Sequence, residues 1–118
     1  MSFLVEFYET SQKQTPFDEF LQGLAPAMKA KVLRDLELLE SFGNSLREPY
    51  SKALGDGLFE LRSKLSTTIT RSIYFFVEGQ RIIVTHGFVK KQKRTPKEEI
   101  ERAESYRNDW KRRNGYGS

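Results

Sequence analysis

Cysteine is absent from this 118-residue sequence, which excludes disulfides, thiolate nucleophiles and cysteine-ligated zinc. Histidine occurs once, at His86, and the acidic residues are scattered, so the sequence offers no metal site and implies no cofactor. No apolar run approaches the roughly 18 residues that a membrane span requires. The first residues have neither the basic region nor the apolar stretch of a secretory signal. We therefore expect a cytoplasmic protein that makes no membrane contact.

The length predicts a single domain over residues 1–118, because a chain this short buries one modest core. The formal net charge is +4, a surplus too small to identify a partner until its distribution is considered. The distribution is uneven. Residues 88–94 contain four lysines or arginines and no acid, and residues 111–113 add three more cations. This clustering favours polyanionic partners.

The first half of the chain predicts one strand and two helices. Apolar and aromatic residues over 4–8 are typical of a strand. Pro16 and the apolar residues at helical spacing up to Leu24 predict a short helix. A second helix is expected from Pro26 to Phe42, ended by the glycine that follows. Residues 43–57 show no periodicity, so we expect a loop there.

The second half predicts an antiparallel meander and a closing helix. Strand-like runs span residues 58–65, 69–77 and 81–89. Alternation in the first run places Arg62 on a polar face of the sheet. Thr95 as a cap and Pro96 as the first helical residue predict a helix that extends to about Trp110. This order predicts an α+β fold in which the helices pack on one sheet face and the other face stays free.

Four short motifs follow one another in the second half. They are Gly57-Leu58-Phe59-Glu60-Leu61-Arg62, Arg71 within Thr70-Arg71-Ser72-Ile73-Tyr74-Phe75-Phe76, His86-Gly87-Phe88-Val89-Lys90-Lys91, and Thr95-Pro96. In this order and spacing the sequence resembles the RelE/ParE superfamily of toxins, and most of all its phage-derived HigB-type branch. The resemblance extends from about Phe3 to Trp110, with Phe59 where the branch usually has tryptophan.

The resemblance implies a RelE-like fold and a toxin of a type II toxin-antitoxin system. The toxin would be held inactive by a helix-turn-helix antitoxin, through which the complex binds operator DNA. For HigB-type members it implies metal-independent cleavage of mRNA on the translating ribosome. ParE-type members instead inhibit DNA gyrase and are not nucleases, so a shared architecture leaves both activities open. Charge alone also fits a basic RNA-binding accessory protein.

Metal-free RNA cleavage requires a base for the 2′-hydroxyl, cations for the phosphorane and an acid for the leaving oxygen. On this hypothesis Arg62 and Arg71, on neighbouring strands, hold the scissile phosphate through their guanidinium forks. Lys90 and Lys91 follow the last strand, and either is a candidate base, because crowded like charges favour a neutral amine. His86 is the alternative acid or base, since imidazole titrates near neutrality.

Substrate binding is assigned to three more residues of the cationic segment 88–94, which we call the basic run. Phe88 is a candidate for stacking on a base, and Lys93 and Arg94 are candidates for holding flanking phosphates. A run of this kind can also be only a solvated strand end, a structural alternative that the sequence leaves open.

The other candidates have structural alternatives too. His86 lies among apolar neighbours, which favours a hydrogen-bonded core histidine over a catalytic one. Arg62 can pair with Glu60, two residues away on the same pleated face. Glu60 is also a departure from well-studied ribosome-dependent relatives, which place lysines on this strand. Its negative charge opposes phosphate binding.

Overall fold

The computed structural model describes residues 2–116. In chain order the elements are β1 (Leu4–Phe7), α1 (Pro16–Gln22), α2 (Pro26–Phe42), a 3₁₀ turn (Gly43–Ser45), β2 (Ser51–Gly55), β3 (Leu58–Leu65), β4 (Thr68–Val77), β5 (Arg81–Val89) and α3 (Lys97–Arg113). The described strands form one five-stranded sheet in the order β1-β5-β4-β3-β2. The predicted α+β class and the antiparallel β3-β4-β5 meander are confirmed.

The helix α2 ends where the sequence predicts, and the reason is the backbone of Gly43. This residue has a φ of +51°, a left-handed conformation that favours glycine. It also lies against the ring of Phe3, so that a Cβ placed on it would come within 2.1 Å of Cε1. A side chain at this position would therefore displace the N-terminal segment from α2.

The expected loop over residues 43–57 contains a strand that the sequence did not reveal. The strand β2 pairs antiparallel with β3, with Ser51 opposite Leu61. It lies at the edge of the sheet, and most of its residues are exposed. An edge strand with little buried surface needs no alternation of apolar and polar residues, so its local sequence signal is weak.

The first strand departs from an all-antiparallel sheet. It pairs parallel with β5, with Leu4 opposite Arg81 and Phe7 opposite Val84. Nothing in a four-residue strand specifies the direction in which it will pair with a segment more than 70 residues away. The parallel pairing was therefore outside the sequence prediction.

The prediction that all helices pack on one sheet face is wrong. The helices α1 and α2 cover one face, where Phe17 and Leu39 pack in a core with Leu61 and Tyr74. On the opposite face α3 contributes Trp110 and other residues to a second core that includes Leu58, Ile73 and Phe75. The central strands are buried on both faces, which explains the near-continuous apolar run of β4.

Within residues 2–116, no helix combines the length and the apolar composition that crossing a bilayer would require.

Candidate functional site

A cleft of about 530 Å³ lies at one end of the sheet. Its lining contains seven cationic side chains and no carboxylate. The lining residues are Lys31, Pro49, Tyr50, Lys52, Arg62, Lys64, Ile69, Arg71, Lys90 and Lys93. We call this the basic cleft. Grouped charges of one sign produce a local positive potential that attracts polyanions.

Strand register brings these cations together. Arg62 of β3 lies opposite Arg71 of β4, and Lys64 lies opposite Ile69. The backbone nitrogen of Lys90 donates to the carbonyl of Ile69 at 2.7 Å, which places the end of β5 beside the same row. Three neighbouring strands therefore deliver positive charge to one end of the sheet.

Arg71 is a buried residue at the base of the cleft, with 2% of its surface exposed. Its Nη1 donates to the hydroxyl of Thr95 at 2.7 Å, and its Nη2 donates to the carbonyl of Lys93 at 2.8 Å. These bonds attach the basic loop, which we define as residues 90–95, to the central strand β4. Thr95 was expected to cap α3, but α3 starts at Lys97 without a side-chain cap. The Thr95 hydroxyl accepts the hydrogen bond from Arg71 instead.

Glu60 lies between the two arginines with only 1% of its surface exposed. Its Oε2 is 2.9 Å from Nε of Arg62 and 3.5 Å from Nε of Arg71, and its Oε1 accepts a hydrogen bond from Thr95. Burial lowers the pKa of Arg71 and the carboxylate of Glu60 opposes that shift. Because two guanidinium groups share one buried carboxylate, the cluster keeps a net positive charge.

The Arg62–Glu60 ion pair expected as a structural alternative is therefore present. Arg62 also approaches the exposed Glu48, with 3.6 Å between Nη1 and Oε1. A quarter of its side chain remains exposed in the cleft. Arg62 can contact a ligand from this position, whereas the Nη groups of Arg71 are occupied by protein acceptors.

The residues of the basic run do not all line the same cavity. Lys90 and Lys93 line the basic cleft. Lys91 lines a neighbouring cavity of about 550 Å³, together with Phe88 and Glu99, and Lys90 lines both this cavity and the basic cleft. Arg94 lines a third cavity beside the start of α3, which shares Lys52, Arg62, Arg71 and Lys93 with the basic cleft. The structure thus divides a sequence run that we had interpreted as one surface.

Phe88, the expected stacking residue, is half-buried and packs against the core under α3. His86 lies near it, with 6.1 Å between the ring centroids, and is 3% exposed. The histidine Nε2 is 3.0 Å from Oε1 of Glu99, and Nδ1 is 3.1 Å from the hydroxyl of Thr85. Burial lowers the pKa of His86, and the contact with Glu99 opposes this.

Neither His86 nor Phe88 lines the basic cleft. The catalytic assignment of His86 stays a prediction, and its two protein partners favour the structural alternative. The same holds for Phe88 as a stacking residue, because its ring contributes to the second core.

Comparison with known families identifies the chain. A family model described as Phage derived protein Gp49-like matches residues 19–108. The chain belongs to this Gp49-like family. The match agrees with the prediction of a phage-derived family. No curated protein matches the sequence significantly.

Among solved structures, the Gp49-like chain is similar to an archaeal RelE-RelB complex from Pyrococcus horikoshii OT3. The two share 18% sequence identity over 80% of this chain and 100% of that chain, with a TM-score of 0.47.

Sequence reasoning missed four residues that line the cleft of this Gp49-like protein: Lys31, Tyr50, Lys52 and Lys64. The alternation of β3 placed Lys64 beside Arg62 on the polar face. Lys64 could therefore have been predicted from the sequence. Lys52 belongs to the strand that the sequence did not reveal. Lys31 comes from α2, and only tertiary packing brings it to this end of the sheet. No group of three or more potential metal ligands occurs in the described part of the chain.

Proposed function

We propose that this Gp49-like protein is a one-domain toxin of a type II toxin-antitoxin system and cleaves mRNA on the translating ribosome. The observation that carries the proposal is the lining of the basic cleft, which contains seven cations and no carboxylate. Such a lining suits a phosphodiester backbone, because each neutralised phosphate releases condensed counterions. The same charges can stabilise the additional negative charge of a phosphorane.

Within this proposal each cationic residue has its own role. Arg62 holds the scissile phosphate, since it is partly exposed and its pairing with Glu60 fixes the guanidinium. Lys90 is the candidate for proton transfer because it lines the cleft, whereas Lys91 lines only the neighbouring cavity. Arg71 positions the basic loop and with it Lys93. Arg94 holds a more distant phosphate.

The proposal includes a helix-turn-helix antitoxin that neutralises the toxin and carries the complex to operator DNA. It places the activity in the cytoplasm, where translating ribosomes are found. Both statements rest on the resemblance to the toxin family. We expect the protein itself to hold no metal ion for cleavage, because residues 2–116 contain no cluster of three or more potential metal ligands.

Mapping of mRNA 5′ ends after a short induction tests the proposal. We expect new internal ends within translated regions, and we expect them to disappear with Arg62→Ala and with Lys90→Ala. Circular dichroism must show that both variants fold. Lys29→Ala is a matched control, because Lys29 is exposed on α2 and lines neither the basic cleft nor the cavities of Lys91 and Arg94.

Two other results would contradict the proposal in different ways. DNA-damage signalling with intact messages would identify a ParE-like inhibitor of gyrase. Harmless expression in the absence of an antitoxin would identify an RNA-binding accessory protein.

A further inference from the structure

One wall of the basic cleft carries an exposed aromatic ring, that of Tyr50. Tyr50 is 42% exposed, although tyrosine is a large and mostly apolar residue. The rings of Tyr8, Tyr74, Tyr106 and Tyr116 each pack against another aromatic ring. Within residues 2–116, Tyr50 has no such partner. Its aromatic face is therefore available to a ligand.

The backbone of Tyr50 is held in place even though the ring is free. Its nitrogen donates to the carbonyl of Arg47 at 3.0 Å, and its carbonyl accepts from the nitrogen of Arg62 at 2.7 Å. The second bond joins Tyr50 to the strand that carries the proposed phosphate ligand. These bonds fix the Cα of Tyr50 relative to Arg62, so a ligand has to order only the two side-chain torsions of the ring.

The surroundings of Tyr50 combine the two properties of a site for single-stranded nucleic acid. Positive groups follow the phosphate backbone, and aromatic rings stack on unpaired bases. Lys52, Arg62 and Lys64 line the same cleft as the ring. Phe88, the aromatic residue of the basic run, packs in the core under α3 instead.

We propose that Tyr50 is the base-stacking residue of the basic cleft, and that the cleft takes single-stranded RNA. One unpaired base stacks on the Tyr50 ring while the neighbouring phosphates bind Lys52 and Lys64. Bases inside an RNA duplex already stack on each other, so a duplex offers this ring no free face. The inference rests on the proposed function, because it assumes that the polyanion is RNA.

The test compares two ligands of equal length and charge. One is a fluorescein-labelled 2′-O-methyl oligoribonucleotide of six residues, in which the blocked 2′-oxygen prevents cleavage. The other is the same phosphodiester chain without bases. Fluorescence anisotropy should show that the wild-type protein binds the base-containing ligand more tightly. We expect a preference of roughly 5- to 150-fold, the range typical of one base stacked on one aromatic ring.

The variants separate stacking from charge. Tyr50→Ala should lose the preference for bases and keep its affinity for the abasic chain, whereas Tyr50→Phe should keep both. Lys64→Ala should lower the affinity for both ligands. Phe42→Ala is the matched control: Phe42 is 52% exposed, does not line the cleft, and should leave both affinities unchanged.

The outcomes distinguish this inference from the proposed function. If Lys64→Ala weakens binding but Tyr50→Ala does not change the preference for bases, stacking on Tyr50 is refuted and RNA binding stands. If Tyr50→Ala weakens both ligands equally while its thermal unfolding is unchanged, the ring contributes to phosphate binding and the inference is also refuted. If the wild-type protein binds neither ligand and no message is cleaved, the proposed function fails with it.

Discussion

The buried guanidinium of Arg71 donates a hydrogen bond of 2.8 Å to the backbone carbonyl of Lys93. This bond links the interior of the sheet to the basic loop at the cleft. A second bond from the same guanidinium reaches Thr95. The position of Lys93 in the cleft therefore depends on a residue that is itself almost fully enclosed.

Arg71→Ala should lower the free energy of unfolding by about 3 kcal/mol, because it removes one partner of the buried Glu60 carboxylate and frees the basic loop. Chemical denaturation measures this loss. In Glu60→Gln/Arg71→Met both charges are removed, and we expect the double variant to be more stable than Arg71→Ala. If Arg71→Ala unfolds like the wild type, the network does not support the fold.

Lys90→Ala and Lys91→Ala should differ in their effect on RNA affinity, although the two residues are adjacent. Lys90 lines both the basic cleft and the next cavity, whereas Lys91 lines only the next cavity. Loss of one phosphate contact to a single strand should reduce the slope of log affinity against log salt by about 0.7. We expect this reduction in Lys90→Ala and a smaller one in Lys91→Ala. A larger effect of Lys91→Ala would place the substrate in the cavity beside α3.

Lower pH should destabilise the protein through His86. Burial lowers the pKa of His86 below its ordinary 6.5, so the unfolded chain binds the proton more tightly than the folded protein does. The stabilisation is complete above pH 6.5 and is lost as the pH falls through the lower pKa of the folded state. Urea unfolding at a series of pH values between 7.5 and 5.5 should show the free energy of unfolding decreasing.

His86→Gln provides the control for this pH dependence. The free energy of unfolding of this variant should change less over the same pH range. At pH 7.5 it should be lower than that of the wild type by about 1 kcal/mol, the typical cost of a lost buried hydrogen bond. An equally steep decrease in His86→Gln would assign the titration to another group.

Gly87→Ala should destabilise the protein by about 1–3 kcal/mol through overpacking. A Cβ at position 87 would lie 2.6 Å from two ring carbons of Phe20, so α1 would have to move away from β5. Thermal unfolding measures the effect. A protein that carries Phe20→Leu should tolerate the methyl group of Gly87→Ala better than the wild type does. The double variant Phe20→Leu/Gly87→Ala should therefore be more stable than the sum of the two single changes predicts. Additive losses would show that Phe20 is not the residue that excludes the methyl group.

Much of the fold was predictable because its signals are local. The bounds of β3, β5 and α2 follow from alternation, helical spacing and the glycine after Phe42. The candidate site was only half predictable. Arg62, Arg71, Lys90 and Lys93 do line one cleft, and the Arg62–Glu60 pair was among the expected alternatives. The divergence of Lys90 and Lys91 was not foreseen, because it depends on how the chain leaves the last strand.

The sequence by itself determined the types of most elements, the family and the concentration of positive charge near the end of β5. These depend on residue spacing and composition, which are properties of short segments. Tertiary structure alone decided that α3 covers the second sheet face, that β1 pairs parallel with β5, and that Lys31 and Lys52 join the basic cleft. Such arrangements are set by pairing and packing between distant segments, and no short stretch of sequence contains that information.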